Sequence, residues 1–320
     1  MTFSIVIPTY NGERYIEEAL LSALNQTRPA NEIIISDDNS SDKTLSISEK
    51  YADKIKIYKN EAGPSGFVNG WNNAIKYATC EYISILHQDD LLAPTFLEEA
   101  EKALTAHPEC KHFFVPCNYI DENGKITKEP NYCTNRIIVY SAEEYIDAYI
   151  NLGTPHVHRC PGVITHRDIF KVCKYRKEAG MIADDDFFFR VGRYTPVLGL
   201  MKPLSSYRLH KESESGHLSS AKMESTLVVN HIFLIEELLK QEDNSKTLLN
   251  YLIKSTQKHS FHEYIWCFRN KDDEMHRESC THRKKMRELG IKWSFKRRTL
   301  AFILDILGFK LSCSLAQKIF

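Results

Sequence analysis

Four short stretches carry side chains that could do chemistry together. "SDDNSSD" (36–42) holds Asp37 and Asp38, and "HQDD" (87–90) holds Asp89 and Asp90. "ADDDFFFRV" (183–191) holds Asp184, Asp185 and Asp186, and "YRLHKESES" (207–215) holds His210 and Ser213. The two aspartate pairs each end an apolar run, where an open α/β sheet presents its ligand crevice. Brought to one ligand uncompensated, they would repel by several kcal/mol at low local dielectric. A divalent cation relieves that repulsion, and hard oxygen ligands without a nearby Cys or paired His favour Mg2+ or Mn2+ over Zn2+. Taken singly, each pair reads equally well as a helix cap or a solvated turn. The three acids at 184–186 exceed what a helix macrodipole needs, so one is available as a general base if it faces the same crevice. His210 and Ser213 suit a metal ligand and a hydroxyl to phosphate, although a lone loop His is usually structural.

These residues need a scaffold, and the first half of the chain supplies alternating strand-like and helix-like segments, the pattern of a parallel sheet with crossover helices. "FSIVIPTY", "EIIISDD", "KIKIYKN" and "EYISILHQDD" read as strands. In "ERYIEEALLSALNQ", Tyr15, Ile16, Ala19, Leu20, Ala23 and Leu24 recur at helical spacing and predict one face on the sheet. "SSDKTLSISEKYA" reads as a helix capped by Ser41 or Asp42, and "FVNGWNNAIKYAT" as another. Pro94 is expected to open the next helix from its first turn. From "CKHFFVPCNYID" onward the pattern is mixed, with a "DENGK" turn, a helix near "SAEEYIDAYIN" and a strand near "GVITHR". Residues 222–320 contain no Pro and read as successive helices.

The 320 residues are 42% hydrophobic, enough for one large domain with an appendage or for two domains. Lys plus Arg and Asp plus Glu number 42 each, so no global field argues for a nucleic-acid partner. Nine cysteines without a C-x-x-C pair suit reduced thiols and a cytoplasmic protein. The N-terminus lacks the regions of a signal peptide, and no run approaches the ~18 apolar residues of a membrane span.

In order and spacing, the four stretches together with "SIVIPTYNGERYIEEALLSALNQT" resemble the inverting glycosyltransferases of family 2 with the GT-A fold, over about residues 3–215. The resemblance implies a Rossmann-like, mixed but mostly parallel sheet flanked by helices. The catalytic domain would span 1–215, with the nucleotide-sugar half at about 1–95 and the acceptor half at about 96–215. A helical C-terminal region, 216–320, would follow. It implies a donor site built from Pro8, Thr9, Tyr10, Asn11, Asp37, Asp38, Gln88, Asp89, Asp90, His210 and Ser213. Thr9, Tyr10, Asp37 and Asp38 would hold base and ribose, and Asp89 and His210 would hold Mn2+ or Mg2+. The family's base lies six residues before an arginine, which from Arg190 gives Asp184, or Asp185 if the register slips by one. Two positions depart from the pattern: His87 stands where many members have an acid, and Ala183 where the usual Glu precedes the base. The implied reaction is inverting transfer of a sugar, from a UDP-sugar or similar donor, to a hydroxyl of a glycan or lipid-linked acceptor in a bacterial surface-glycan pathway. His156, His158 and Arg159 are acceptor-contact candidates, equally readable as an exposed polar loop.

Rival readings share the acid logic. A sugar nucleotidyltransferase would carry a Gly-rich basic loop after the first strand, and "PTYNGERY" has one glycine. A phospho-receiver domain is far shorter, and a degenerate sugar-nucleotide binder stays open because of His87 and Ala183. "HSFHEYIWCFRNKDDEMHRESCTH" (259–282) raises a zinc site, though its spacings fit no standard knuckle. Trp71 and Trp266 could each stack on a sugar or sit in a core. Residues 283–320 mix Arg283, Lys284, Lys285, Arg287, Lys292, Lys296, Arg297, Arg298 and Lys310 with Trp293, Phe295, Phe302 and Phe309. Such a segment suits either an anionic membrane surface, on the inner face of the cell membrane, or a packed helix with snorkelling lysines.

Overall fold

A computed structural model describes residues 1–130, 133–142, 144–145, 161–213, 220–240 and 246–319. The chain forms two compact units: Met1–Lys177 with Ala183–Ser213, and Glu178–Ile182 with Glu214–Phe320.

In the first unit the described strands are β1 (Phe3–Thr9), β2 (Glu32–Asp37), β3 (Lys56–Lys59), β4 (Tyr82–Ile85), β5 (Leu91–Leu92), β6 (His112–Phe114), β7 (Cys117–Ile120), β8 (Ile126–Lys128), β9 (Ile137–Tyr140), β10 (Val163–His166), β11 (Val197–Leu200) and β12 (Ser205–Arg208). Eight of them form one sheet in the order β3-β2-β1-β4-β10-β6-β11-β9. β3, β2, β1 and β4 run parallel; β10 is antiparallel to both β4 and β6, β11 is parallel to β6, and β9 is antiparallel to β11. The expected mixed, mostly parallel α/β sheet is therefore the observed one. β2 and β4, which lead into the two aspartate pairs, flank β1. A second, four-stranded sheet has the order β5-β12-β7-β8.

β1 is buried because it is central and covered on both faces. Phe3, Ile5 and Ile7 point into one cluster with Ile16, Ala19, Leu20 and Ala23 of α1 (Ile16–Leu24) and with Phe96, Leu97, Ala100 and Leu104 of the helix Phe96–Ala106. Burying each large side chain stabilises the fold by roughly 1.5–3 kcal/mol. The predicted stripe of α1 is thus its buried face, with Leu24 packed at the margin. In chain order α2 is Thr44–Glu49, α3 Phe67–Tyr77, α4 Phe96–Ala106, α5 Ile169–Val172 and α6 Ala183–Val191.

Two local expectations are corrected. Lys43 holds the N-cap position of α2 without a side-chain cap, so neither Ser41 nor Asp42 caps it; Asp42 accepts the N–H groups of Thr44 and Glu13, each at 2.9 Å, and ties two loops together. Pro94 lies before α4, outside its first turn, and its carbonyl accepts from Thr27 N at 2.8 Å.

The second unit is helical: α7 (Ser220–Lys240), α8 (Lys246–Asn270), α9 (Asp273–Glu288) and α10 (Phe295–Ile319, broken at Gly308 with φ 73°). Asp272 caps α9 by accepting from Met275 N at 3.0 Å. Tyr264, Phe268, Met286, Trp293, Ala301 and Leu304 are buried in this unit, and the Trp293 indole N–H donates to Ser260 Oγ at 2.8 Å. The four histidines weighed as zinc ligands do not gather into a set that could hold a metal among the described residues. His259 and His262 face Glu224, His282 pairs with buried Glu263 at 3.0 Å, and His276 sits among the Tyr264, Phe268 and Phe309 rings. No helix among the described residues is long and apolar enough to cross a membrane.

Candidate active site

β1 has β2 on one side and β4 on the other, so the crevice beyond their C-terminal ends is the switch point of the sheet. At the β2 edge, buried Asp37 accepts from Thr9 Oγ1 at 3.1 Å, Ser40 N at 2.9 Å and Ser40 Oγ at 2.5 Å. Buried Asp38 accepts from Asn60 Nδ2 at 2.7 Å and Ser65 N at 2.6 Å, which fixes the 60–66 loop. Both carboxylates are thus already hydrogen-bonded within the fold, and they organise the crevice wall. Asn11, in the left-handed region at φ 47°, donates its N–H to Ser40 Oγ and accepts from Ser41 N, both at 2.9 Å. Pro8 pairs with Ser36 in the β1–β2 register. The Tyr10 ring is 45% exposed and open to a ligand. Its backbone is clamped by Gln88, which accepts from Tyr10 N at 2.9 Å and donates to Tyr10 O at 3.1 Å. A Cβ at Gly12 would meet the Gln88 amide, so a larger residue there would have to displace the end of the Gln88 side chain.

The second sheet brings the two remaining motifs together. Antiparallel pairing of Leu91 with Ser206 and Leu92 with Ser205 sets the chain just before β5 opposite the chain just after β12. That register delivers His210 Nε2 to within 2.8 Å of Asp89 Oδ2. The His210 side chain is 7% exposed, and its Nδ1 has no hydrogen-bond partner among the described residues. Ser213 Oγ donates to the His210 carbonyl at 2.9 Å.

Arg208 holds this junction, a role that the sequence reading did not assign. It is buried, and its backbone N–H donates to Asp90 Oδ1 at 2.8 Å. Its guanidinium donates to the carbonyls of Asp89, Asp121 and Glu122 at 2.8, 3.2 and 3.3 Å and to Glu18 Oε2 at 2.7 Å. It also lies over the Tyr15 ring at 4.5 Å. Burial, and next the Asp89 charge, push the Asp90 carboxyl up to about 7, with His87 drawing it partly back.

His87 packs at the end of β4 against Asp90 and Trp71. Its Nδ1 is 3.5 Å from Asp90 Oδ2, and its ring stacks on Trp71 at 5.0 Å and 19°. Trp71 in turn meets Tyr175 edge-on at 5.2 Å, and Tyr175 stacks on Phe187 of α6 at 4.5 Å. Trp71 is therefore one member of an aromatic column from the end of β4 to α6. Of the three acids on that helix, Asp186 is accounted for: it is fully buried between Arg176 and Arg190, with Arg190 Nη2 at 2.7 Å. Asp184 is half-buried and, among the described residues, accepts from the N–H of Asp185 at 2.9 Å, so its carboxylate keeps capacity for a ligand proton. His156, His158 and Arg159 lie outside the described residues.

An Asp oxygen and a His nitrogen 2.8 Å apart match the edge between adjacent ligands of an octahedral ion, about 3.0 Å for metal–ligand bonds of 2.1 Å. Two protein ligands are what Mg2+ commonly takes when substrate phosphates complete its shell. Among the described residues no set of three or more His, Cys, Asp or Glu side chains is arranged to hold a metal by itself.

A mixed, mostly parallel sheet flanked by helices, with polar side chains gathered at its switch point, is an α/β fold of the GT-A kind. Residues 4–169 match glycosyl transferase family 2, and the chain belongs to that family. An uncharacterized glycosyltransferase of Rickettsia typhi is 32% identical over 209 residues, 65% of this chain and 64% of that one. The GalNAc(5)-diNAcBac-PP-undecaprenol beta-1,3-glucosyltransferase of Campylobacter jejuni is 35% identical over 130 residues, 39% of this chain and 41% of that one. The crystal structure of S. aureus TarS 1-349 in complex with UDP-GlcNAc superposes with a TM-score of 0.59 at 18% identity, covering 89% of this chain and 92% of that one, which shows the shared fold. The chain spans 36 to 64% of the length of the rickettsial relatives that it matches.

Proposed function

We propose that this glycosyltransferase moves a sugar from a UDP-sugar to a hydroxyl of a glycan or lipid-linked saccharide with inversion at C1. The observation that carries the proposal is the meeting of Asp89 and His210 at 2.8 Å beside the β1 switch point. The TarS complex with UDP-GlcNAc and the undecaprenol-linked substrate in the Campylobacter name support the donor and acceptor classes by analogy.

In this reading Tyr10, Asn11 and the wall braced by Asp37 and Asp38 receive the nucleoside, and Ser213 lies toward the diphosphate. Asp89 and His210 would hold a Mn2+ or Mg2+, which when bound supplies charge neutralisation and Lewis acidity to the leaving diphosphate. Asp90, held by Arg208, keeps Asp89 in place. Asp184 accepts the proton of the acceptor hydroxyl as its oxygen bonds to C1. The C1–O bond to the diphosphate breaks, and the electron pair leaves with the nucleotide. A single displacement inverts the anomeric centre.

The test is transfer from a UDP-sugar panel by wild type and Asp184→Asn, with UDP binding followed in parallel. A general base contributes about 10²–10⁴-fold. The variant should lose transfer on that scale while binding UDP as wild type does. Wild-type turnover would remove Asp184 from the role. No transfer by wild type, with UDP still bound, would favour the non-catalytic binder.

A further inference from the structure

Helix α10 leaves an apolar face uncovered. Phe295, Phe302 and Ile306 are 76, 65 and 67% exposed, with Ile303 beside them. At 100° per residue these side chains share one stripe, opposite buried Ala301 and Leu304. Exposed Lys296 borders the stripe on one side and exposed Arg298 on the other. The acid of this helix, Asp305, is neutralised by Arg283 at 3.2 Å and accepts from the Tyr264 hydroxyl at 2.5 Å. Next to the stripe opens a cleft of about 330 Å3, lined by Arg283, Arg287, Lys292 and Arg298 against Trp293 and Phe302. Of these four cations, Arg283 alone is paired with a carboxylate among the described residues. An exposed apolar stripe beside unpaired cations is complementary to a surface that is apolar below and anionic above. A second copy of the chain fits less well, since a two-fold contact would set Lys296, Arg298 and their neighbours against the same charges.

We propose that this face docks on an anionic lipid bilayer. Helix α10 lies in the interfacial plane, with Phe295, Phe302 and Ile306 among the acyl chains and a lipid phosphate seated among Arg287, Lys292 and Arg298. The proposal does not rest on the sugar-transfer reading, because docking needs neither donor nor acceptor.

The experiment is co-sedimentation of the full chain with phosphatidylglycerol/phosphatidylcholine vesicles and with phosphatidylcholine alone, at low and moderate salt. Binding should require the anionic lipid and weaken with salt. Arg287→Ala with Lys292→Ala should lower partitioning about 25-fold, at about fivefold per charge. Phe302→Ser with Ile306→Ser should lower it about tenfold or more at unchanged charge. All four side chains are exposed, and unchanged melting temperatures will show that the variants fold. Either no binding to anionic vesicles at moderate salt, or binding that survives the Phe302/Ile306 variant, overturns the proposal outright, and the face is then a free surface of the helix. Two further results overturn it by giving the face another role. The first is calorimetric binding of inorganic phosphate without vesicle binding, which makes the cleft a soluble-anion site. The second is a dimer dispersed by the same variant without vesicle binding, which makes the face a contact between copies.

Discussion

Replacing Arg208 by Met is expected to damage both stability and donor binding. The substitution keeps most of the side-chain volume but deletes donors to the carbonyls of Asp89, Asp121 and Glu122 and to Glu18. Each carbonyl stranded in this junction costs about 1–3 kcal/mol, with the solvent-near loop carbonyls of 121 and 122 at the low end. The Glu18 side chain is 52% exposed and rehydrates, so its lost ion pair adds little. The sum is about 3–5 kcal/mol, the range found when one partner of a buried charged network is removed. For a unit of roughly 200 residues this lowers the melting temperature by about 10 °C. Urea denaturation and UDP titration of wild type, Arg208→Met and Arg208→Lys provide the assay. The Lys variant should recover part of the loss, since an ammonium cannot reach all the acceptors at once. UDP affinity should fall in the Met variant, because Asp89 loses its backbone anchor. If Arg208→Met stays within about 1 kcal/mol of wild type and binds UDP equally well, the junction does not depend on the guanidinium, and the argument fails.

Other perturbations have worked signs. Asp186→Asn leaves Arg176 and Arg190 facing a neutral amide and should cost about 3–5 kcal/mol in urea denaturation, with faster hydrogen exchange across 183–191. Burial works to raise the Glu32 pKa, but hydrogen bonds from Lys56, Ser4 and Thr79 outweigh it and hold the carboxyl at about 2, against an ordinary 4.5. Its stabilisation is therefore complete above pH 4.5 and lost as pH falls toward 2, at most about 3 kcal/mol, so Glu32→Gln should flatten the acid limb of the stability curve. Asp90 has the opposite sign. Its folded pKa of about 7 exceeds the ordinary 3.8, so in metal-free protein stability should decline as pH rises between those values, and Asp90→Asn should abolish that decline.

The local periodicities of the chain made β1, β2 and α1 legible, because an apolar run or a 3.6-residue stripe states which face is buried. The mixed sheet was expected, but its order was not readable. β10 sits between β4 and β6 through four residues of "VITH", and β5 has two, lengths at which pairing is decided by distant partners. Arg208 was present in the quoted motif yet went unassigned, since an arginine reads as a surface residue. Its burial becomes favourable only when acceptors from residues 18, 89, 121 and 122 converge on it. Asp186 stands in sequence as one of three adjacent acids, and the ion pairs with Arg190 and with Arg176, ten residues upstream, set it apart from Asp184. The departure at His87 was visible, whereas its stacking on Trp71 was not.

That stack carries a consequence for the history of the family. An indole face is electron-rich, so a carboxylate at position 87 would be repelled by the ring that now accommodates imidazole. Relatives that keep an acid at 87 should then carry a different side chain at 71, and the two positions should exchange as a pair across the lineage. Because Trp71 also meets Tyr175, the side chain at 87 is tied to the residues that brace α6. Replacing His87 by Asp alone should be poorly tolerated unless position 71 changes with it.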